Sequence, residues 1–361
     1  MLKVVLWFGR VIMRRSIWIK SNQSLSMKKV RIAINGFGRI GRMTTRILLK
    51  NSNVEIVAIN DLTDNTTLAH LFKYDSIHGP FQGTVKSDEK HLILNNVLIK
   101  CLSEKDPTKL PWKELDIDVL LECTGRFTNL EGANLHINAG AKRVILSAPT
   151  QGKKDMKSIV LGVNDEILTK DDRIISNASC TTNNAGPMLK ILDDNWGIES
   201  AYVTTVHAYT GDQNIHDAPH KDLRRARAAA VSIIPTTTGA AKALGDVLPH
   251  LSGKLGGAGV RVPSSDGSLT DITCILLKTP TPEDINKAFQ KEASGKMKGI
   301  LEYTNDPIVS IDIVGNPHSC IFDSLLTSVL GKMTKVFGWY DNEMGYSNRL
   351  AELAVKFGSL D

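Results

Sequence analysis

The sequence predicts an α/β protein built from two units. Over the first half, short apolar strands alternate with segments of helical spacing, which is typical of a doubly wound, mostly parallel sheet. Near residue 175 the pattern changes to longer segments of alternating apolar and polar residues, which indicate an α+β unit with a mixed or antiparallel sheet. The length of 361 residues fits two domains of ordinary size.

The first half opens with a predicted β-α-β unit. Residues 30–35 alternate and run into glycines, which predicts a strand. Apolar residues in 38–50 recur at helical spacing, and residues 54–59 form the second strand of the unit. Two further apolar runs, at 119–121 and 144–146, stop at turn-prone residues and predict more strands of the same sheet.

The second half carries two long predicted strands, at residues 200–207 and 269–277. A polar, Arg-rich stretch at 210–228 lies between them and predicts a loop. Thr281 followed by a proline predicts a helix start, because Thr caps helices well and Pro is favoured at the first helical position. The amphipathic segment 346–357 predicts a final helix that returns to the first unit.

These patterns predict a first domain of residues 27–179 and 342–361, a second domain of residues 180–341, and a leader of residues 1–26. The leader contains five Lys or Arg residues and no acidic residue. That composition is typical of an organellar transit peptide, and the simpler alternative is that Met27 is the true start. We expect a cytoplasmic protein, or an organellar one if the leader is a transit peptide.

Charge and hydropathy exclude several function classes. The formal net charge of +6 comes mostly from the leader, and the remaining chain has 39 basic against 38 acidic residues. A nearly neutral chain disfavours nucleic acid as the primary partner. No apolar run approaches the ~20 residues of a membrane-spanning helix, so we expect no membrane partner.

The five cysteines are widely separated and form no CxxC motif. Such spacing indicates neither a zinc site nor a disulfide framework, so we expect reduced thiols and no bound metal.

A glycine-rich turn predicts a dinucleotide site. Gly36, Gly38 and Gly41 form a GxGxxG motif between a predicted strand and a predicted helix, and Asp61 ends the next strand. The glycines permit the tight turn, the approach of the backbone to a pyrophosphate, and close helix–strand packing. An acidic residue at the position of Asp61 accepts hydrogen bonds from ribose hydroxyls and repels a 2′-phosphate, which favours NAD over NADP.

Cys180 is the candidate nucleophile because it stands where a predicted strand runs into a helix. A free thiol is only ~3% ionised at pH 7, and lowering its pKa to near 6 requires about 3.4 kcal/mol, whereas a helix N-terminus supplies ~1 kcal/mol. We therefore expect a cationic partner to hold Cys180 as a thiolate. His207, at the end of a predicted strand, is the best candidate for that partner and for a general base.

The chain resembles the phosphorylating glyceraldehyde-3-phosphate dehydrogenases over essentially all of residues 27–361. The motifs that carry the resemblance occur in the family's order: INGFGRIGR at 34–42, NDL at 60–62, SNASCTTN at 176–183, HAYTGDQ at 207–213, RRARAA at 224–229, TTTGAAKA at 236–243, RVP at 261–263 and WYDNEMGYS at 339–347. The resemblance implies that Cys180 is the nucleophile and His207 its base. It also implies a homotetramer.

The resemblance further implies two sets of binding residues. Positions that match the family's NAD site are Arg39, Ile40, Asp61, Lys105, Ser147 and Asn342. Positions that match its sites for substrate and inorganic phosphate are Ser179, Thr181, Thr210, Arg225, Thr238, Gly239 and Arg261.

The implied reaction is the NAD-dependent oxidation and phosphorylation of glyceraldehyde 3-phosphate to 1,3-bisphosphoglycerate through a cysteine thioester. The nearest alternative is an erythrose-4-phosphate dehydrogenase, in which water attacks the same thioester. A Cys–His acyl hydrolase has no use for the glycine turn and Asp61, and a nucleic-acid-binding protein is disfavoured by the neutral chain.

Overall fold

The computed structural model describes residues 28–150 and 156–360, so the leader at 1–26 lies outside the described residues. The chain folds around two sheets with separate hydrophobic cores. The first sheet has nine strands. It is mostly parallel and the second sheet is mixed, as the sequence predicted. None of the helices in the described ranges is long and apolar enough to span a bilayer.

The first sheet follows the predicted β-α-β pattern. Its strands are β1 Val30–Asn35, β2 Val54–Asn60, β3 Val85–Ser87, β4 His91–Leu94, β5 Val97–Leu102, β6 Val119–Glu122, β7 Arg143–Leu146, β8 Lys157–Ser158 and β9 Ile174–Ser176. Its helices are α1 Arg39–Leu48, α2 Asn65–Lys73 and α3 Leu130–Asn138. The strand order is β3-β4-β5-β2-β1-β6-β7-β9-β8, with antiparallel pairing only among β3, β4 and β5.

The strand order of the first sheet reverses between β1 and β6. Both strands are parallel and buried, so their carboxyl ends and the loops that follow them meet at one edge. In open parallel sheets, ligands bind in the crevice outside the carboxyl ends at such a switch point. A ligand crevice is therefore expected beside Gly36.

The second sheet combines four strands of eight to eleven residues with four strands of three or four residues. The strands are β10 Ile198–Ala208, β11 Ile234–Thr236, β12 Leu255–Val262, β13 Ser268–Leu276, β14 Leu301–Thr304, β15 Cys320–Asp323, β16 Ser328–Leu330 and β17 Met333–Tyr340. Four more helices follow α3 along the chain: α4 Cys180–Trp196, α5 Ala240–Val247, α6 Pro282–Ser294 and α7 Met344–Gly358. β10 pairs in parallel with β12 and antiparallel with β13, which makes the sheet mixed.

Helix ends form where the sequence predicted them. Thr281 and Asp284 make a reciprocal capping box at the start of α6, with Pro282 as the first helical residue. The last helix, α7, packs on the first sheet, where Leu350, Leu353 and Phe357 join the core of the first unit. The chain thus crosses from the second sheet back to the first immediately after β17.

Candidate active site

Cys180 is the first residue of α4, directly after the turn that follows β9. Ser179 caps the helix, because its Oγ accepts a hydrogen bond from the Thr182 amide at 3.1 Å. Ala178 before it adopts a left-handed φ of 54°, an uncommon conformation for a residue with a side chain. This tight entry brings the Cys180 thiol to the start of the helix, where the unpaired amides face it.

His207 lies near the end of β10 with its imidazole directed at the thiol. Its Nε2 is 3.4 Å from Cys180 Sγ, and its Nδ1 is 2.7 Å from the carbonyl oxygen of Ala208. A carbonyl can only accept, so Nδ1 carries the proton and Nε2 presents a lone pair to the sulfur. The arrangement makes His207 a base for the Cys180 proton.

Tyr340 fixes the His207 ring from β17, which β13 separates from β10. The two rings meet edge to face with centroids 5.9 Å apart. The Tyr340 hydroxyl is 3.0 Å from Thr181 Oγ1 and 2.8 Å from Thr205 Oγ1, which ties α4 to β10. Tyr340 was not among the predicted residues. Its partners are 159 and 135 positions away, and no local pattern signals such contacts.

The protonation state differs from the expected thiolate. Burial raises the pKa of the Cys180 thiol, while the positive charge of Arg261 acts to lower it. Burial and Arg261 together lower the pKa of His207 to about 3. Both shifts oppose a resting thiolate–imidazolium pair, and His207 is placed to take the thiol proton.

A cavity of about 180 Å³ opens at the thiol. Cys180 and His207 line it together with six of the seven predicted substrate positions: Ser179, Thr181, Arg225, Thr238, Gly239 and Arg261. Thr210, the seventh, is not part of the lining, and its Oγ1 accepts a hydrogen bond from Arg261 Nη1 at 2.7 Å. The cavity thus joins the nucleophile and base to two guanidinium groups.

The two arginines are held differently. Arg261 Nη1 also donates to the carbonyl oxygen of Ala208 at 3.1 Å, which keeps its charge beside His207. Arg225 Nε donates to Thr236 Oγ1 at 3.0 Å, and its Nη1 pairs with Asp212. Guanidinium groups in a partly buried cavity are suited to phosphate groups. Asp212 and Thr236 are further residues that the motif analysis did not single out.

Thr238 and Gly239 precede α5. Thr238 Oγ1 accepts from the Ala240 amide at 3.1 Å. Gly239 is the N-cap of α5 and supplies no side-chain cap. The amides of the first turn after Ala240 are therefore available to an anion in the cavity.

The glycine turn has the geometry of a dinucleotide site. Gly36 has φ of 92°, and a Cβ there would lie 2.7 Å from the Thr124 amide nitrogen. A Cβ on Gly41 would lie 2.2 Å from the Gly36 carbonyl oxygen, whereas one on Gly38 would meet nothing within 4 Å. Gly38 caps α1 without a side-chain hydrogen bond, so the first amides of this helix are free to bind phosphate.

The remaining predicted NAD positions surround this crevice. Asp61 follows β2, where its Oδ2 accepts from the Phe37 amide at 2.7 Å and supports the glycine turn. Lys105 is exposed after β5, and Ser147 follows β7. Because β2, β5 and β7 are parallel members of the sheet, all three residues lie at its carboxyl edge. Ile40 is half-buried on α1.

Arg39 and Asn342 connect this crevice to the start of α7. Arg39 pairs with Asp75 at 2.6 Å and with Glu343, and together these carboxylates hold the pKa of Arg39 above its ordinary value against the effect of burial. Asn342 precedes Glu343, and its Oδ1 accepts from Ser268 Oγ at 2.7 Å. Arg39 thus links the helix of the glycine turn to the segment that carries Asn342.

His78, Asp266 and Glu343 bring atoms of metal-ligand type within 4.8 Å of one another. Both carboxylate oxygens of Glu343 already accept from Arg39. We therefore interpret these residues as part of the ion-pair network around Arg39 and assign no metal to them.

The other four cysteines lack the environment of Cys180. Burial raises the pKa of Cys101 to about 11 and the pKa values of Cys123 and Cys274 to about 12. Burial also raises the pKa of Cys320. These thiols stay protonated at neutral pH and have no neighbouring base among the described contacts.

Two sequence models of protein families match the chain. The model of the glyceraldehyde 3-phosphate dehydrogenase NAD binding domain matches residues 30–130, and the model of the C-terminal domain matches residues 179–342. The chain belongs to the glyceraldehyde-3-phosphate dehydrogenase family. The match to the NAD binding domain covers β1 to β6 of the first sheet, and NAD is the cofactor.

Similar proteins match along nearly their whole length. The glyceraldehyde-3-phosphate dehydrogenase of Mycolicibacterium smegmatis is 53% identical over 338 residues, which cover 91% of this chain and 98% of that protein. The Streptomyces coelicolor protein of the same name is 54% identical over 334 residues, covering 91% and 99%. The Mycobacterium avium protein is 53% identical over 337 residues, covering 91% and 98%.

Proposed function

We propose that the protein oxidises glyceraldehyde 3-phosphate with NAD and transfers the acyl group to inorganic phosphate, giving 1,3-bisphosphoglycerate. The observation that carries this proposal is the 3.4 Å contact between Cys180 Sγ and His207 Nε2 in a cavity that also contains Arg225 and Arg261. A thiol with its base, two phosphate-binding cations and an adjacent NAD-binding domain supply the groups that this reaction needs.

The first half of the reaction joins the substrate to Cys180. His207 Nε2 takes the thiol proton, Sγ adds to the aldehyde carbon, and the same proton passes to the carbonyl oxygen to give a hemithioacetal. His207, neutral again, then accepts the hydroxyl proton as the hydride leaves the carbon. NAD supplies the acceptor for that hydride when it is bound. The product on the enzyme is a thioester of Cys180.

The second half releases the acyl group. A phosphate oxygen attacks the thioester carbon, and the carbon–sulfur bond breaks. Protonated His207 returns its proton to the leaving sulfur, which restores the resting thiol and imidazole. The thioester conserves the energy of the oxidation until phosphate arrives, which direct oxidation to an acid would not.

The two anionic groups of the reaction match two parts of the cavity. Arg261 with Thr210 holds one phosphate, and donors on Ser179, Thr181, Thr238 and Gly239 surround the other, with Arg225 nearby. The contacts of Arg261 with Thr210 and the uncapped start of α5 at Gly239 support this division. Charge from the arginines binds the phosphates, and the hydroxyl and amide donors orient them.

The decisive experiment is an NADH-absorbance assay with glyceraldehyde 3-phosphate, run with and without inorganic phosphate. We expect sustained turnover only with phosphate, because phosphate must release the acyl group. The same assay with erythrose 4-phosphate tests the sister activity, which needs water alone as acceptor. Faster, phosphate-independent turnover of erythrose 4-phosphate would contradict the proposal.

We also propose that the protein is a homotetramer. Between β10 and β11, Ile215, Leu223, Val231 and Ile233 are 69–81% exposed. Large apolar side chains clustered on one exposed segment are typical of a subunit contact. Light scattering coupled to size exclusion should give four times the chain mass, and a monomer mass would contradict the proposal.

We propose the cytoplasm as the location. The contrasting possibility is an organelle reached through the leader. The intact mass of the native protein distinguishes cleavage at a transit site from a start at Met27, and cell fractionation gives the compartment.

A further inference from the structure

Five buried polar side chains form a row beneath the NAD crevice. The row runs from Asn60 at the end of β2 through Asn35 at the end of β1 to Glu122 at the end of β6, and on to His136 and Trp112. Asn35 and Glu122 are 2% exposed, and Trp112 and His136 are fully buried. Parallel strands here end in polar residues that hydrogen-bond to one another across the switch point of the sheet.

Glu122 is the acceptor at the centre of this row. Its Oε2 accepts from Asn35 Nδ2 at 2.6 Å and from His136 Nε2 at 3.1 Å. The donor on His136 is Nε2, because its Nδ1 accepts from Trp112 Nε1 at 3.1 Å. Oε1 accepts from the Thr124 amide at 2.7 Å and from the Thr124 hydroxyl. Four donors converge on one carboxylate, which satisfies its buried charge.

These hydrogen bonds reach four turns at the carboxyl ends of the strands. Asn35 directly precedes Gly36, and Thr124 belongs to the turn that packs against Gly36 so closely that a Cβ would lie 2.7 Å from the Thr124 amide nitrogen. Asn60 directly precedes Asp61 and bonds to both the amide and the carbonyl of Glu104, next to Lys105. The row therefore joins the glycine turn to the turns that carry Asp61 and Lys105.

We propose that Glu122 is a positioning residue for the adenosine and pyrophosphate half of NAD. It contacts the turns and not the dinucleotide, and it holds the glycine turn, the Thr124 turn and the Asp61 turn in one relative arrangement. The proposal rests on NAD binding by the first domain and not on the proposed oxidation. It assigns to Glu122 an effect on dinucleotide affinity rather than on the chemistry at Cys180.

The charge of Glu122 is required because all four of its partners donate. In Glu122→Gln, the side-chain amide nitrogen must face either Thr124 or the pair Asn35 and His136, and donor then meets donor. Asn35 cannot turn over to relieve this clash, because its Oδ1 already accepts from Asn60 Nδ2 at 2.7 Å. The clash between donors is therefore expected to displace neighbouring side chains of the row and, through them, the turns.

The test compares Glu122→Gln with a matched variant of another buried carboxylate, Asp323→Asn. Asp323 is 3% exposed at the end of β15 in the second sheet, where it accepts from Trp339 Nε1 at 3.0 Å and from the Leu325 amide at 3.2 Å. Titration calorimetry gives the Kd of NAD and of ADP-ribose, which lacks the nicotinamide. Both variants should melt at a lower temperature than the wild-type protein.

We expect Glu122→Gln to raise the Kd of NAD and of ADP-ribose by about tenfold each, the effect of one lost charged hydrogen bond. Asp323→Asn should leave both Kd values within twofold of wild type. Steady-state kinetics should show a raised KM for NAD and little change in kcat. Wild-type affinity for both ligands in Glu122→Gln would overturn the proposal, as would an equal loss in Asp323→Asn.

A second pair of variants decides the question if Glu122→Gln does not fold. His136→Leu removes one donor to Glu122 from a residue on α3, and it should raise the Kd of ADP-ribose about threefold. His136→Gln keeps an amide donor near the position of Nε2, and it should restore the wild-type Kd. Equal Kd values in these two variants would overturn the proposal.

Discussion

The Nε2 of His207 lies 3.4 Å from the sulfur of Cys180, while the Nδ1 of the same ring is 2.7 Å from the carbonyl oxygen of Ala208. The contact of Nδ1 with the Ala208 carbonyl determines whether Nε2 can accept the proton of Cys180. Because Nδ1 donates to the carbonyl, the lone pair of the neutral ring faces the thiol. His207 is therefore placed to take the proton of Cys180.

Replacing the Cys180 sulfur with oxygen should abolish turnover and leave NAD binding unchanged. Cys180→Ser leaves a hydroxyl of much higher pKa at the start of α4, so we expect turnover to become undetectable while the Kd of NAD stays within twofold of wild type. Cys101→Ser is the matched control, because Cys101 lies outside the cavity lining and burial raises its pKa to about 11. Turnover in Cys180→Ser near the wild-type rate would refute the assignment of the nucleophile.

The buried imidazole makes the protein sensitive to acid. Burial and Arg261 lower the pKa of His207 to about 3, whereas an unfolded chain titrates near 6.5. Between these values the unfolded state binds the proton and the folded state does not, so this contribution to stability falls as the pH drops below about 6.5. From pH 7 to pH 5 it should cost about 2 kcal/mol of unfolding free energy.

Urea unfolding at both pH values, at one protein concentration, measures this loss. His207→Gln lacks the titrating group and should lose about 2 kcal/mol less than the wild-type protein over the same pH interval. An identical loss in the two proteins would show that His207 is not held neutral in the folded state.

Arg261 acts on both substrate binding and the thiol. Its guanidinium bonds to Thr210 and Ala208 beside the cavity, and its charge acts to lower the pKa of Cys180. Arg261→Gln should therefore raise the KM for the phosphate-bearing substrates by ~10–100-fold, the value of charged hydrogen bonds. It should also slow alkylation of Cys180 by iodoacetamide at pH 7, because the thiol pKa rises further.

Arg227→Gln is the control for Arg261. The Arg227 side chain is 67% exposed and pairs with Asp217 at 2.8 Å on the surface, so its removal should change KM less than twofold. If the two variants behave alike, Arg261 does not hold a phosphate in this cavity.

Local sequence patterns predicted the elements that place the site. The strand at Val30–Asn35 and the helix start at Cys180 have the predicted bounds, since glycines follow the first and a predicted strand leads into the second. The antiparallel strands β3 and β4 were not predicted, because their short, partly exposed segments take their pairing from the neighbouring strand. The raised pKa of Cys180 also escaped prediction, because burial depends on how the sheets pack around it.

Asp61 should set the choice between NAD and NADP through its charge. Its carboxylate supports the glycine turn by accepting from the Phe37 amide at 2.7 Å, and it lies at the carboxyl end of β2 where the adenosine ribose is expected. Asp61→Asn keeps an acceptor for Phe37 and removes the charge that repels a 2′-phosphate, a repulsion of about 1–4 kcal/mol at contact distance. The ratio of kcat/KM for NADP to that for NAD should therefore rise at least tenfold. Asp64→Asn, at the exposed cap of α2, should leave the ratio unchanged, and a ratio within twofold of wild type in Asp61→Asn would contradict this role.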